Sequence, residues 1–169
     1  MAQRNLIRAI RPVPAAPDAL FEFLSDLENH WRIAGAFVQV VALEGPPGRR
    51  HGGLVRMRGP LGIHRLARTR VLSASSPREM LGRAELSGGT TATVRWSLWP
   101  ATEGTRVELA ALVETTGPLD RLLLAAGGRA WLRRRFAGAL DQLASLQAPA
   151  VSDTDHRERR ASCRVSSRS

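Results

Sequence analysis

Lysine and tyrosine are absent from this 169-residue chain, and cysteine occurs once. Cys163 sits alone in a polar C-terminal stretch, which excludes an intrachain disulfide framework and a cysteine-rich metal site. The histidines His30, His51, His64 and His156 nowhere fall at metal-ligand spacing, so no metal is expected. No HExxH, CxxC, GxSxG or phosphate-cradling glycine loop occurs, and no cofactor is expected either. No apolar run approaches the length of a bilayer span. The N-terminus, MAQRNLIRAIRP, lacks the continuous apolar stretch of a secretory signal. The expectation is a cytoplasmic protein.

Without lysine, all 25 basic residues are arginine, and against 15 acids they leave a formal net charge of +10. GC-rich coding accounts for arginine in place of lysine, since alanine, glycine and proline are abundant too. It does not account for the excess of positive charge, because acidic residues were equally available. Arginine also grips phosphate and carboxylate better than lysine does. The length suits one domain with a real core.

What is present begins with Ile7, Ala9, Ile10 and Val13, a strand-like set that Pro14 and Pro17 terminate. Pro17 fits the first position of a helix and Asp18 its first turn. Leu20, Phe21, Phe23, Leu24 and Leu27 give that helix an apolar face. Ser25 and Glu28 have capping-box spacing, so a second helical segment is expected near Asp26, running to Trp31. N-capping explains Asp26 without invoking chemistry.

From Ala36 the pattern is β-like. Strands are expected over 36–43, 54–58, 63–73, 79–87, 90–99 and 106–114, separated by Gly/Pro turns such as Gly45-Pro46-Pro47-Gly48 and Gly59-Pro60-Leu61-Gly62. The clearest alternation is Ala92, Val94, Trp96 and Leu98 against Thr91, Thr93, Arg95 and Ser97. Thr116-Gly117-Pro118 then opens a helix whose apolar pattern continues to about Leu146, spanning roughly 40 Å. Its stripe changes face near Gly127-Gly128. Leu119, Leu122, Leu123, Ala126 and Ala130 define one face, and Leu132, Phe136, Ala139, Leu140 and Leu143 define another, rotated from the first. Adjacent glycines permit a kink there. Residues 149–169 lack periodicity and apolar content and read as a disordered basic tail behind a domain spanning 1–148.

The strand, the proline corner, the helix Leu20-Phe21-Glu22-Phe23-Leu24-Ser25-Asp26 and the turn ending at Trp31 resemble the opening of the START-like superfamily of polyketide cyclases and lipid-transfer proteins. The resemblance covers roughly residues 3–147. It implies an α+β helix-grip fold: a curved antiparallel sheet of six to seven strands around a long C-terminal helix, with two short helices after the first strand. It also implies an apolar cavity between sheet and helix. The inward sets would line it: Val55 and Met57, Thr69, then Val94, Trp96 and Leu98, then Val107, Leu109 and Ala111. Leu123, Gly127 and Trp131 would close it from the long helix. Leu24, Leu27, His30 and Trp31 would form an entrance opposite the glycine pair.

Two side chains could bring chemistry to such a cavity: His30 as acid or base, and Arg65 as partner for a carboxylate or phenolate. The shortage of polar groups, with tyrosine missing, favours binding or carriage of a lipid, quinone or polyketide-like molecule. The alternatives are a polyketide cyclase or dehydratase, and an interaction module. The latter would use arginines turned outward by the same alternation, Arg56, Arg58, Arg68, Arg70, Arg95 and Arg106, toward an anionic membrane surface or acidic partner. Their spread over strands, without interleaved exposed aromatics, argues against nucleic acid.

Overall fold

The computed structural model describes residues 5–148; the segment read as a tail, with Cys163 and His156, lies outside them. The elements are β1 (Leu6–Val13), α1 (Pro17–Ser25), α2 (Leu27–Ala34), β2 (Val38–Glu44), β3 (Gly52–Arg58), β4 (His64–Ser75), β5 (Glu79–Leu86), β6 (Thr90–Ala101), β7 (Gly104–Thr115), α3 (Pro118–Leu123) and α4 (Arg129–Gln147). The seven strands form one antiparallel sheet in the order β1-β7-β6-β5-β4-β3-β2. The chain therefore has the expected helix-grip fold, with α3 and α4 lying along the sheet and α1–α2 inserted between β1 and β2.

The alternation read from the sequence sets the inner face. Met80, Gly82 and Ala84 of β5 pair with Trp96, Val94 and Ala92 of β6, and Val94, Trp96 and Leu98 pair with Ala111, Leu109 and Val107 of β7. At the β1 end of the sheet the core is solid. Val13, Leu20, Leu98, Val107, Leu140 and Leu143 are fully buried there, with Leu24 beside them. On the outer face, Arg95 and Arg8 lie 3.5 and 3.7 Å from the buried Glu108, and Arg83 lies 3.0 and 3.2 Å from Glu85 and Glu114.

Two local expectations need correction. Ser25 does not cap α2; its hydroxyl donates to the Phe21 carbonyl at 2.7 Å, as a serine inside a helical turn does. Asp26 is the cap, accepting from the Glu28 N–H at 3.0 Å and from the Arg50 N–H at 3.3 Å, and α2 runs on to Ala34. The C-terminal helix breaks where the adjacent glycines permit it. Leu124–Gly128 forms a widened π-type turn, with Ala126 at φ −82°, ψ 25° and Gly127 at φ +99°. Of the apolar face before the break, Leu119 and Leu122 are 43% and 66% exposed, whereas Leu123 borders the cavity described below.

Asp26 joins α2 to the β2–β3 connection, where the Leu27 N–H also donates to the Arg50 carbonyl at 2.9 Å. Asp26→Ala is expected to destabilise the fold by roughly 1–2 kcal/mol in urea unfolding, with Asp26→Asn retaining most of the stability. Equal losses in both variants would assign the role to charge instead of capping.

Candidate functional site

Between the central strands and the helical layer lies a cavity of about 260 Å³. That is roughly twenty times the space one water needs, so it is no packing defect. Its origin is legible in the inner face. Gly82, Ala84, Ala92 and Ala111 line it from β5, β6 and β7, so its floor is built from the smallest side chains. Larger apolar groups form the walls, among them Met57, Met80, Trp96, Leu109, Trp131 and Phe136. Water in such a space would lack the polar partners that hold buried water in place.

Of the side chains expected in the lining, Leu27, Trp31, Val55, Met57, Thr69, Val94, Trp96, Leu109, Ala111, Leu123 and Trp131 border this cavity, as do His30 and Arg65. Four do not. Leu24, Leu98 and Val107 face inward, but at the β1 end of the sheet, where α1 and the C-terminal half of α4 fill the space. Gly127 is exposed, with no atom within 4 Å of the position a Cβ would take, and its neighbour Gly128 lines the cavity instead. A Cβ on Gly128 would sit 2.5 Å from the Leu123 carbonyl oxygen, so the turn's geometry requires glycine there. Of the entrance envisaged opposite the glycine pair, Leu24 and Gly127 drop out, while Leu27, His30, Trp31 and Gly128 border the cavity. The exposed lining residue Arg135, beside the half-buried Phe37 and Trp131, marks where the cavity reaches the surface.

The polar groups of the lining are mostly committed. Arg65 follows the inward register of Ala67, Thr69 and Val71, and its Nη2 donates to Asp120 Oδ2 at 3.0 Å and to the Ser87 carbonyl. The two side chains are only 12% and 11% exposed. Thr90 donates its hydroxyl to the same Asp120 oxygen and accepts from the Gly117 N–H at 2.9 Å. This network joins β4, the β5–β6 turn, the start of β6 and the first turn of α3. It requires glycine at 117, because a Cβ there would overlap the Gly88 carbonyl oxygen, 2.0 Å away. Asp120, an acid in the first turn of α3 where the helix dipole favours negative charge, is thus also the counter-charge of Arg65.

His30 donates from Nε2 to the Leu24 carbonyl at 2.6 Å, and its ring meets Trp96 edge-on with centroids 5.3 Å apart. Burial pushes its pKa down from 6.5 to about 4, against the opposing pull of the Leu24 carbonyl and the Asp26 carboxylate. The ring is neutral at pH 7, with Nδ1 left as an acceptor. The Trp31 indole N–H is buried with no acceptor, which costs free energy until one is supplied. Among the described residues, no three His, Cys, Asp or Glu side chains gather as metal ligands would. No helix among them is long and apolar enough to cross a membrane.

Two outcomes follow. Asp120→Asn leaves the Arg65 charge enclosed without its partner and is expected to cost roughly 3 kcal/mol in chemical unfolding. The double variant Arg65→Met, Asp120→Leu should recover much of that loss, because an apolar pair replaces both charges. A double variant as unstable as the sum of its single changes would show that the pair does not act as a unit. For His30, the unfolded state binds the proton more tightly than the folded state does. Stability is therefore fully present above about pH 6.5 and declines as the pH falls toward 4, by roughly 3 kcal/mol at the acid end. His30→Gln should remove that slope. An NMR titration placing the His30 midpoint near 6.5 would contradict the assignment.

The fold has counterparts among solved structures. Protein Ms6760 from Mycobacterium smegmatis aligns with a TM-score of 0.64 at 13% identity, over 89% of this chain and 94% of that one. Protein TTHA0849 from Thermus thermophilus aligns at 0.59 and 22% identity, over 83% and 94%. DynU16, a putative protein in the dynemicin biosynthetic locus, aligns at 0.54 and 18% identity over 83% of this chain, which spans only 46% of that one. No curated protein matches the sequence. At these identities the likeness establishes the fold alone. The sequence itself matches a family profile across residues 7–147, and the chain belongs to the family described as polyketide cyclase / dehydrase and lipid transport.

Proposed function

We propose that this protein binds and carries a hydrophobic small molecule in the cavity between its sheet and its C-terminal helices. The observation that carries this reading is the state of the cavity's polar groups. A catalytic pocket needs an acid or base free to exchange a proton near the working pH. Here His30 is held neutral, and the one lining carboxylate, Asp120, is spent on Arg65 and Thr90. What remains is an apolar space with a few donors, the usual composition of a small-molecule site.

The family's name joins cyclase and transport activities, and DynU16 comes from a biosynthetic locus, so a polyketide cyclase or dehydratase is the second reading. One feature favours it: a neutral His30 retains an acceptor nitrogen beside the cavity, which could receive a proton from an acidic carbon. Its depressed pKa makes it a weak base for that task. The outward arginines give less support to a surface role, since Arg70, Arg83 and Arg95 lie against Glu85, Glu114 and Glu108.

Nile red, a neutral apolar dye, tests the cavity. It is expected to bind the purified protein with a blue-shifted emission. Ala111→Phe, which fills the floor from β7, should weaken binding roughly tenfold while leaving the fold intact by circular dichroism. Unchanged dye binding in that variant would place the apolar site elsewhere and defeat the proposal. Native mass spectrometry of the protein as purified then separates the two readings, a bound lipid or quinone favouring carriage and a cyclisable polyketide favouring catalysis.

A further inference from the structure

We propose that Arg135 is the head-group receptor of this cavity, and that the ligand is an amphiphile with an apolar body and an anionic carboxylate head. The inference rests on the cavity being a ligand site and adds the ligand's chemical class.

Four arginines line the cavity, and three are spoken for. Arg65 is paired with Asp120 at 3.0 Å. Arg70 lies 3.8 Å from Glu85, and Arg83 lies 3.0 Å from Glu85 and 3.2 Å from Glu114; both belong to strands whose alternation turns them to the outer face. Arg135 has no carboxylate within salt-bridge distance among the described residues. It is exposed yet lines the cavity, so it stands where the apolar space meets solvent.

Its guanidinium is held in place by aromatic rings. The Arg135 Cζ lies 5.2 Å from the Trp131 ring centroid and 6.0 Å from that of Phe37, within the range of cation–π attraction. The two rings meet edge to face, with centroids 5.3 Å apart and planes 75° apart. Trp131 is one helical turn before Arg135, at the i−4 spacing that stacks side chains on one face. The rings fix the cation without consuming its N–H donors, because an aromatic face accepts the charge and leaves the guanidinium edge free. A preorganised guanidinium edge suits a carboxylate, which can take two parallel hydrogen bonds from it. Arg133 and Arg134 precede it in sequence, but neither lines the cavity.

The rest of the lining is consistent with a negative head. Its one carboxylate, Asp120, is neutralised by Arg65, so nothing in the wall attracts a cationic amphiphile. The chain as a whole carries a net charge of +10, which favours the approach of an anion.

The test uses three eighteen-carbon ligands of the same chain: oleate, oleyl alcohol and oleylamine. Each displaces Nile red from the full-length protein at pH 8, below its aggregation concentration. Wild type should bind oleate roughly tenfold more tightly than the alcohol, and the amine more weakly than either. In Arg135→Gln the oleate-to-alcohol ratio should fall to near one, while Arg135→Lys keeps part of it. Raising the salt concentration should shrink the wild-type ratio, since the head group sits at an exposed cation. Alcohol binding with no preference for oleate, or a preference that survives Arg135→Gln, overturns the head-group assignment and leaves the carrier reading standing. If Nile red binds but none of the three displaces it, the amphiphile assignment falls while the carrier reading stands; if Nile red itself fails to bind, both fall.

Discussion

The pairing of Arg65 with Asp120 decides how the helical layer sits on the sheet. Arg65 rises from the inner face of β4, and Asp120 stands in the first turn of α3. Thr90 and the Ser87 carbonyl complete the connection, so the start of the helical segment is latched to β4 and to the β5–β6 turn. At its other end, α4 is fixed to the sheet by Leu140 and Leu143 in the solid core and by Asp141, whose Oδ1 accepts from Arg11 of β1 at 2.8 Å. A helical cover held at both ends over a floor of glycine and alanine cannot collapse onto that floor. The cavity is the consequence of those two anchor points together with the small residues between them.

That arrangement commits the polar groups of the site to holding the fold together. Taking charge out of water is tolerated only with compensation, and the latch uses Asp120, Arg65 and Thr90 for that purpose. His30 meets the same constraint differently. Enclosed by Trp96 and Trp31 and hydrogen-bonded to the Leu24 carbonyl, it gives up its proton and stays neutral. The groups that could have supplied acid or base chemistry are the ones that secure the walls. At the surface the constraint relaxes, and there Arg135 keeps its charge without an acidic partner because water and two aromatic rings solvate it.

The sequence showed most of the fold because its signals are local and periodic. Strand β6 alternates along its inner half, Pro17 and Pro118 begin helices, and Gly127-Gly128 marks a break that the structure places at Ala126 and Gly127. Alternation states which face a residue occupies but not where along the sheet a filler will cover it. Leu98 and Val107 therefore faced inward as expected and still fell in solid core, although each is the next inward residue from the cavity-lining Trp96 and Leu109. The helical face before the break is split for another reason: Leu123 borders the cavity while Leu119 and Leu122 are exposed, because a stripe of leucines does not say which of its edges a neighbour covers. The partner of Arg65 is 55 positions away, beyond any periodic signal. Arg135 is the last of three consecutive arginines, and nothing in that run singles it out until Phe37 and Trp131 are seen around it.

The void has an energetic consequence that links fold to function. Unfilled space in a core forfeits dispersion contacts, and by the scaling seen for engineered cavities a volume of this order costs several kcal/mol. For a domain whose net stability is typically only about 5–15 kcal/mol, such a loss must be offset by the dense packing around Leu20, Leu140 and Leu143 and by the latch. An apolar ligand that fills the space restores the missing contacts, and by mass action it stabilises the folded state in proportion to its occupancy. The same small residues that weaken the empty protein therefore supply the driving force for loading it. Larger side chains on the floor should raise stability at the expense of binding, an opposition expected where space is kept for a ligand but not where it is a flaw in packing.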